Sequence, residues 1–469
     1  MNIKKYSIDI IMQGIARLLG GFLSFIAIIM FTYLFDESQI GEYNLVLSTL
    51  NIVTSLGTLW LSQSILRFFD EKKDLGDILV FILGSSLLCI FMLMFANLFF
   101  EFKIDWFVMV YLVLLVLYNV FDAIFRRARK LIDYVILEVI FAFSRVIPMV
   151  FIAIVTKNYN SIFLSQSLVL FGFFTMMIMK YKNDISELKV SINFNMLYRY
   201  LNYGLPLMGL AISNWFLTTS DRYIIKYFGH NAQVGIYSTN YSLANSIYMM
   251  FSLIIVNAFH PIIMKEWDKK NNNVYKLVSY TIDLYLIIMI PLTFYGCLKS
   301  KILLSLFKGN LYATYYDIFI WTAVGIFFYG ISLLLHKYYE LIKNTKMILF
   351  FNLIVAMLNI FLNVLLIPLY GFNIAAFTTF ISYIMYILIV RLLTRKVFPI
   401  KINIKNFFIS IISVCLFYYF DIIFVKNSSI TMFFIEGILF VVYILLVYLL
   451  TGILKLEMIN ILLKRNHCK

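Results

Sequence analysis

Apolar runs of about twenty residues, separated by short polar stretches, occupy the chain along its whole length. A run of that length crosses the ~30 Å hydrocarbon core of a bilayer as an α-helix, because only hydrogen bonds within the segment satisfy its backbone there. The pattern predicts fourteen spans, roughly 8–34, 42–65, 78–100, 105–125, 134–156, 160–180, 201–226, 234–258, 276–298, 313–336, 347–369, 373–394, 406–424 and 430–453. The longest polar connections, such as Lys182–Leu197, His260–Tyr275 and the tail after Ile453, reach about sixteen residues, too few for a soluble domain. The expected fold class is an all-α polytopic membrane protein.

The pattern restarts near its middle. IGEYNLVLSTLN from Ile40 and VGIYSTNYSLAN from Val234 share Gly41 and Gly235, Tyr43 and Tyr237, Ser48 and Ser242, and Asn51 and Asn245 at a constant offset of 194. Glu138, Ala142 and Arg145 in span 5 are echoed by Asn352, Ala356 and Asn359 in span 11 at an offset of 214. Their shared spacing of i, i+4 and i+7 puts each set on one helix face. Two echoes in the same order predict two six-helix lobes, spans 1–6 and 7–12, related by a pseudo-two-fold axis along the membrane normal. Two extra C-terminal helices follow, so the expected divisions are 1–183, 198–396 and 397–469.

Composition agrees: 62% of the 469 residues are apolar and 13% charged, and the mean hydropathy is +0.91. A soluble protein needs far more charge to cover its surface. The run from Ile8 to Leu34 is too long for a signal peptide and contains Arg17, so it is read as the first span. The net charge of +15 does not point to nucleic acid, because it is distributed by topology. With the N-terminus inside and basic residues at span ends taken with the adjoining loops, 29 of the 39 Lys and Arg fall in cytoplasmic segments and 7 in outer loops, leaving Arg17, Arg145 and Arg222 within spans. This bias predicts cytoplasmic N- and C-termini. Cys89, Cys297 and Cys415 lie in apolar runs and Cys468 in the tail, with no disulfide framework.

Charges inside spans are the candidate chemistry. An arginine at bilayer depth costs about 2.5–3.5 kcal/mol on insertion scales, so it implies a partner or water. Gly14, Arg17, Gly21 and Ser24 share a face of span 1, readable as close packing or as a cavity wall with a cation. Arg145 lies about eleven residues into span 5, on the face of Glu138, as a cavity cation or as half of a structural pair. Asn214, Thr218 and Asp221 share a stripe of span 7, whereas the adjacent Arg222 points elsewhere. Asp283 in span 9 is readable as a cavity carboxylate or a packing contact, and Glu436 in span 14 as peripheral. His230, His260, His336 and His467 are scattered without ligand spacing, so no metal is expected. No phosphate-binding Gly-rich loop or nucleophile elbow appears, so neither an ATP-driven pump nor an enzyme is expected.

Several stretches together resemble one family. NIFLNVLLIPLYGFNIAAFTTFIS (Asn359–Ser382), DRYIIKYFG…VGIYS (Asp221–Ser238) and SILRFFDE (Ser64–Glu71) are similar to signatures of the lipid-linked oligosaccharide flippases (Wzx-type), polysaccharide-transport proteins of the multidrug/oligosaccharidyl-lipid/polysaccharide exporter superfamily. The chain has Asn373-Ile374-Ala375-Ala376 where that family often has a glycine. The resemblance implies a two-lobed carrier in the bacterial inner membrane. It would move undecaprenyl-pyrophosphate-linked oligosaccharide repeat units, as for O-antigen, to the outer leaflet by alternating access. Polymerase and chain-length proteins of the same pathway are candidate partners, beside membrane lipids.

An anionic headgroup suits Arg17, Arg145 and the polar Asn359. Glu138, Asp221 and Asp283 are the cavity carboxylates for pairing or coupling, and Arg222 and Arg67 the candidates for ion pairs or gates. No cofactor is expected, and the coupling cation, proton or sodium, stays open. The alternatives are a cation-coupled multidrug exporter of the same superfamily and a membrane-embedded polymerase or sugar transferase. The deep arginines disfavour the first, and the short loops the second.

Overall fold

The computed structural model describes residues 20–100, 104–156, 158–182, 192–269, 274–424 and 430–453. Among them every regular element is helical. The chain begins with α1 (Gly20–Leu34), α2 (Glu37–Phe68), α3 (Glu71–Phe100), α4 (Trp106–Ala128), α5 (Leu131–Ser144), α6 (Ile147–Thr156) and α7 (Asn160–Lys180). It continues through α8 (Phe194–Phe228), α9 (Asn231–Asp268), α10 (Val274–Leu298), the short α11 (Ser300–Leu304) and α12 (Leu311–Thr314), and α13 (Tyr316–Leu335). The last elements are α14 (Lys337–Leu341), α15 (Thr345–Tyr370), α16 (Ile374–Thr394), α17 (Ile404–Phe424) and α18 (Ile430–Leu450).

Twelve spans among the described residues are long and apolar enough to cross a membrane, α5–α6 and α13–α14 each counting as one. With α1 and the more polar α8, helices stand at all fourteen predicted positions. The protein is a multi-pass membrane protein.

Two compact units result: unit 1 is Met1–Ser246 with Asn352–Ala375, and unit 2 is Ile247–Phe351 with Ala376–Lys469. In unit 1, α2 packs against α8, α4 and α3, with Leu50, Leu61, Ile65, Val116, Leu137 and Phe163 fully buried or nearly so. Lipid tails are as apolar as these side chains, so helix association rests on close packing and interhelical hydrogen bonds. The sequence repeat is used for this purpose. A methyl group placed on Gly41 would stand 1.9 Å from the carbonyl oxygen of Asn231, and one on Gly235 would stand 1.9 Å from that of Glu37. Glu37 and Asn231 are themselves 194 residues apart, so the starts of α2 and α9 meet through equivalent residues, as a two-fold relation requires. Gly41→Val or Gly235→Val should destabilise the protein by at least about 1–3 kcal/mol, the usual cost of overpacking, because the obstacle is backbone. Thermal unfolding of the detergent-solubilised protein checks this.

The expected continuous span 5 is broken. α5 stops at Ser144 and α6 starts at Ile147, because Pro148 has no N–H to offer the Ser144 carbonyl and its ring crowds that oxygen. Ser165 Oγ of α7 donates to the orphaned carbonyl at 2.7 Å instead. Two connections are also shorter than expected. α9 runs on to Asp268, and α8 begins at Phe194, where Asn193 Oδ1 accepts from Met196 N at 3.1 Å as an N-cap.

In unit 2, α10 packs on α13 and α17. Asp283 Oδ1 accepts from Asn403 N at 2.8 Å and Ser279 Oγ from Lys401 N at 3.0 Å, so Asp283 anchors the segment leading into α17. Glu436 is not peripheral. Lys299 Nζ lies 2.7 Å from Asp421 Oδ1 and 2.6 Å from Glu436 Oε2, all three side chains nearly buried, tying α17 and α18 to the end of α10. Burial works against the charge of Lys299, but the two carboxylates outweigh it and hold its pKa above the ordinary lysine value. Lys299→Met leaves both carboxylates unpaired and should cost about 3–5 kcal/mol, read as a lower melting temperature.

Candidate functional site

The charged interior of unit 1 is built on α2, α5 and α8. Arg145 sits at the break between α5 and α6, where its N–H bonds to Ala142 and Phe143 carbonyls in a tightened last turn. Its guanidinium lies 4.6 Å over the Phe141 ring and reaches the Tyr111 hydroxyl. Its Nε is buried without a hydrogen-bond partner among the described residues. Glu138, expected as its pair, accepts instead from Tyr118 Oη at 2.6 Å.

Arg222 of α8 donates from Nη1 to Ser48 Oγ at 2.7 Å. Trp215 Nε1 donates to the Ser48 carbonyl at 3.0 Å, and the Thr49 and Tyr223 hydroxyls stand 2.7 Å apart. Ser48 and Thr49 of α2 thus hold α8 in register. The buried Tyr43 lies in the electrostatic reach of both Arg145 and Arg222. Among the described residues neither arginine forms an ion pair. Both guanidinium groups thus act on Tyr43, while Glu138 and Asp221, the nearby carboxylates, are hydrogen-bonded to tyrosines rather than ion-paired with them among the described residues.

A second network surrounds Asp221, which is 1% exposed. Its Oδ2 accepts from the Tyr237 hydroxyl, and its Oδ1 accepts from Asn363 Nδ2 at 2.7 Å. Asn363 Nδ2 also points to Asn359 Oδ1 at 3.3 Å. Tyr237 of α9 is the repeat equivalent of Tyr43, so each half of the repeat sets a buried tyrosine beside charge.

The family model described as polysaccharide biosynthesis protein matches residues 7–267, more than half of the 469-residue chain. The chain belongs to that family. A model described as MatE matches residues 206–365. Among solved structures, the lipid II flippase MurJ in an inward closed conformation matches with a TM-score of 0.73 at 15% identity, over 93% of this chain and 98% of that one. An inward-facing multidrug resistance MATE family transporter of the MOP superfamily matches with a TM-score of 0.60 at 13% identity, over 82% of this chain and 97% of that one. At such identities the likeness is one of fold. No curated protein matches significantly in sequence.

In this member of the polysaccharide biosynthesis family, the expected site residues fall into separate settings. Arg145 and Arg222 both lie in the electrostatic reach of Tyr43, and Asn359 joins Asp221 through Asn363. Asp283 holds a backbone N–H in unit 2. Arg67 is exposed at the end of α2 and stacks 4.6 Å over Tyr203 and 5.4 Å over Phe68, with no ion pair among the described residues. Arg17 lies outside the described residues. Sequence reasoning missed Tyr237, Asn363 and Tyr111. Asn363 stands four residues after Asn359 on one helical face, and Tyr237 is in the repeat itself, so both had a signal. Tyr111 lies in an apolar run and had none.

Proposed function

We propose that this protein is a flippase that carries undecaprenyl-pyrophosphate-linked oligosaccharide repeat units from the cytoplasmic to the outer leaflet of the bacterial inner membrane, by alternating access of two lobes. The observation that carries the reading is the pair of arginines in unit 1, Arg145 and Arg222, neither of which forms an ion pair among the described residues. A cation kept in a span without a counter-charge is costly, and an anionic substrate supplies the missing partner. Guanidinium is the fitting group because its planar fork binds phosphate oxygens in pairs and stays charged. Asp221, with Asn359 beside it, is the candidate for the coupling cation or proton. Membership of the polysaccharide biosynthesis family and the fold shared with a lipid II flippase support the substrate class.

The test is deletion in the native host, followed by the leaflet location of lipid-linked oligosaccharide. Accumulation in the cytoplasmic leaflet is expected. Translocated single repeat units that never lengthen would point to a polymerase and sink the proposal. The topology is checked by single cysteines in a background without native ones. The Arg126–Lys130 connection should resist an impermeant thiol reagent from outside, and Gly229–Gln233 should react; the reverse would overturn the orientation. The match to MatE over residues 206–365 favours a second reading, a cation-coupled exporter of organic cations. Efflux of a fluorescent organic cation by proteoliposomes that leave lipid-linked sugars untouched would select it.

A further inference from the structure

Unit 2 contains a polar cluster that the flippase reading does not use. Lys337, whose side chain is 3% exposed, donates from Nζ to Glu340 Oε2 at 2.6 Å and to His260 Nδ1 at 3.1 Å. On the other side of the same carboxylate, His336 Nε2 lies 3.1 Å from Glu340 Oε1, and its Nδ1 lies 2.9 Å from the buried Tyr386 hydroxyl. The cluster therefore ties together α9, α14 and α16. Two of the four histidines, scattered in sequence, share one glutamate.

Donor rules set the proton positions. A lysine ammonium has three donors and no acceptor, so the Lys337–His260 bond requires a lone pair on His260 Nδ1. His260 is then neutral, with its proton on Nε2. The side chain is 44% exposed and stands just past the predicted end of the span at 258, on the side of the polar connection to α10. A proton added at Nδ1 turns that acceptor into a donor aimed at an ammonium group. Its remaining acceptor is Glu340 Oε2, 3.6 Å away, which Lys337 already occupies. Lys337 and Glu340 are the charged groups whose fields reach His260. His336 and Tyr386 close the cluster behind Glu340. Lys337 has no second carboxylate among the described residues, so it and a protonated His260 are two cations set against one carboxylate and against each other.

We propose that His260 is a proton-binding site of unit 2, where uptake of one proton from water exchanges the Lys337–His260 hydrogen bond for a His260–Glu340 ion pair, takes a partner from the buried Lys337 ammonium and so loosens α14. An N–H bond forms at Nδ1 as a hydronium ion gives up its proton, and the cluster gains one positive charge. By linkage, proton uptake and the loosening of α14 favour one another. The proposal stands apart from the flippase reading, since it concerns a local equilibrium whatever the substrate.

The experiment is hydrogen–deuterium exchange of the purified full chain in lipid nanodiscs across roughly pH 5–8, the range in which histidine titrates, with intrinsic exchange rates divided out. Protection of the backbone at 337–341 should fall several-fold on acidification. His260→Gln keeps an acceptor for Lys337 but takes up no proton, so it should hold the high-pH protection throughout. Lys337→Met, which removes the competing cation, should also flatten the response, and His336→Gln should retain it. A flat wild-type profile would overturn the proposal. So would a response that survives His260→Gln and disappears in His336→Gln.

Discussion

Arg145→Ala is expected to abolish complementation of a flippase-deficient strain at matched membrane levels. The guanidinium stands at the helix break, stacked on Phe141 and within reach of Tyr111, and forms no ion pair among the described residues. Hydrogen bonds to a charged group contribute about 1.5–3 kcal/mol, so headgroup binding should weaken by roughly tenfold to a hundredfold or more. Arg145→Lys should recover part of the activity, because it keeps the charge and loses the two-pronged fork. The informative variant is Arg145→Ala combined with Glu138→Ala. Glu138 is bonded to Tyr118 rather than to Arg145, so the double change should be as inactive as the single one. Full activity of the double variant would mean that Arg145 serves to neutralise Glu138, and its role in substrate binding would fall.

Asp221 should separate stability from transport. Asp221→Ala strands the buried Tyr237 hydroxyl and takes one acceptor from the Asn363 amide, at about 1–3 kcal/mol for a stranded donor, and should lower the melting temperature clearly. Asp221→Asn keeps the shape, and the Tyr237 hydroxyl can turn from donor to acceptor. That variant should insert and melt nearly as the parent does. If the carboxylate carries the coupling ion, transport by the Asn variant should nevertheless fall to background, measured as translocation at equal protein levels. Wild-type transport by Asp221→Asn would remove Asp221 from the site and leave it as a structural tie between α8, α9 and α15.

The two arginines had unequal histories in the sequence. Arg145 stood out because it faced the same way as Glu138 on an ideal helix, yet that face ends at Ser144, where Pro148 interrupts the hydrogen-bond ladder. Arg222 was legible only as a charge in a span. Its setting depends on Ser48, which lies 174 residues away and is brought near by the packing of α8 on α2.

The number of spans, their positions and the internal repeat were determined by sequence alone. Hydrophobic run length answers directly to bilayer thickness, and the repeat residues Gly41 and Gly235 carry a steric demand that any substitution would reveal. Which side chains neutralise one another was decided by tertiary structure. Ion pairs and hydrogen bonds act over a few ångströms between helices far apart in the chain, so spacing along one helix cannot name a partner on another. Glu436 looked peripheral until α10, α17 and α18 closed around Lys299. His260 and His336 looked unrelated until the fold set them on one carboxylate. A side chain's distance along the chain says nothing of its distance across a helix bundle, and the chemistry of this protein depends on the second.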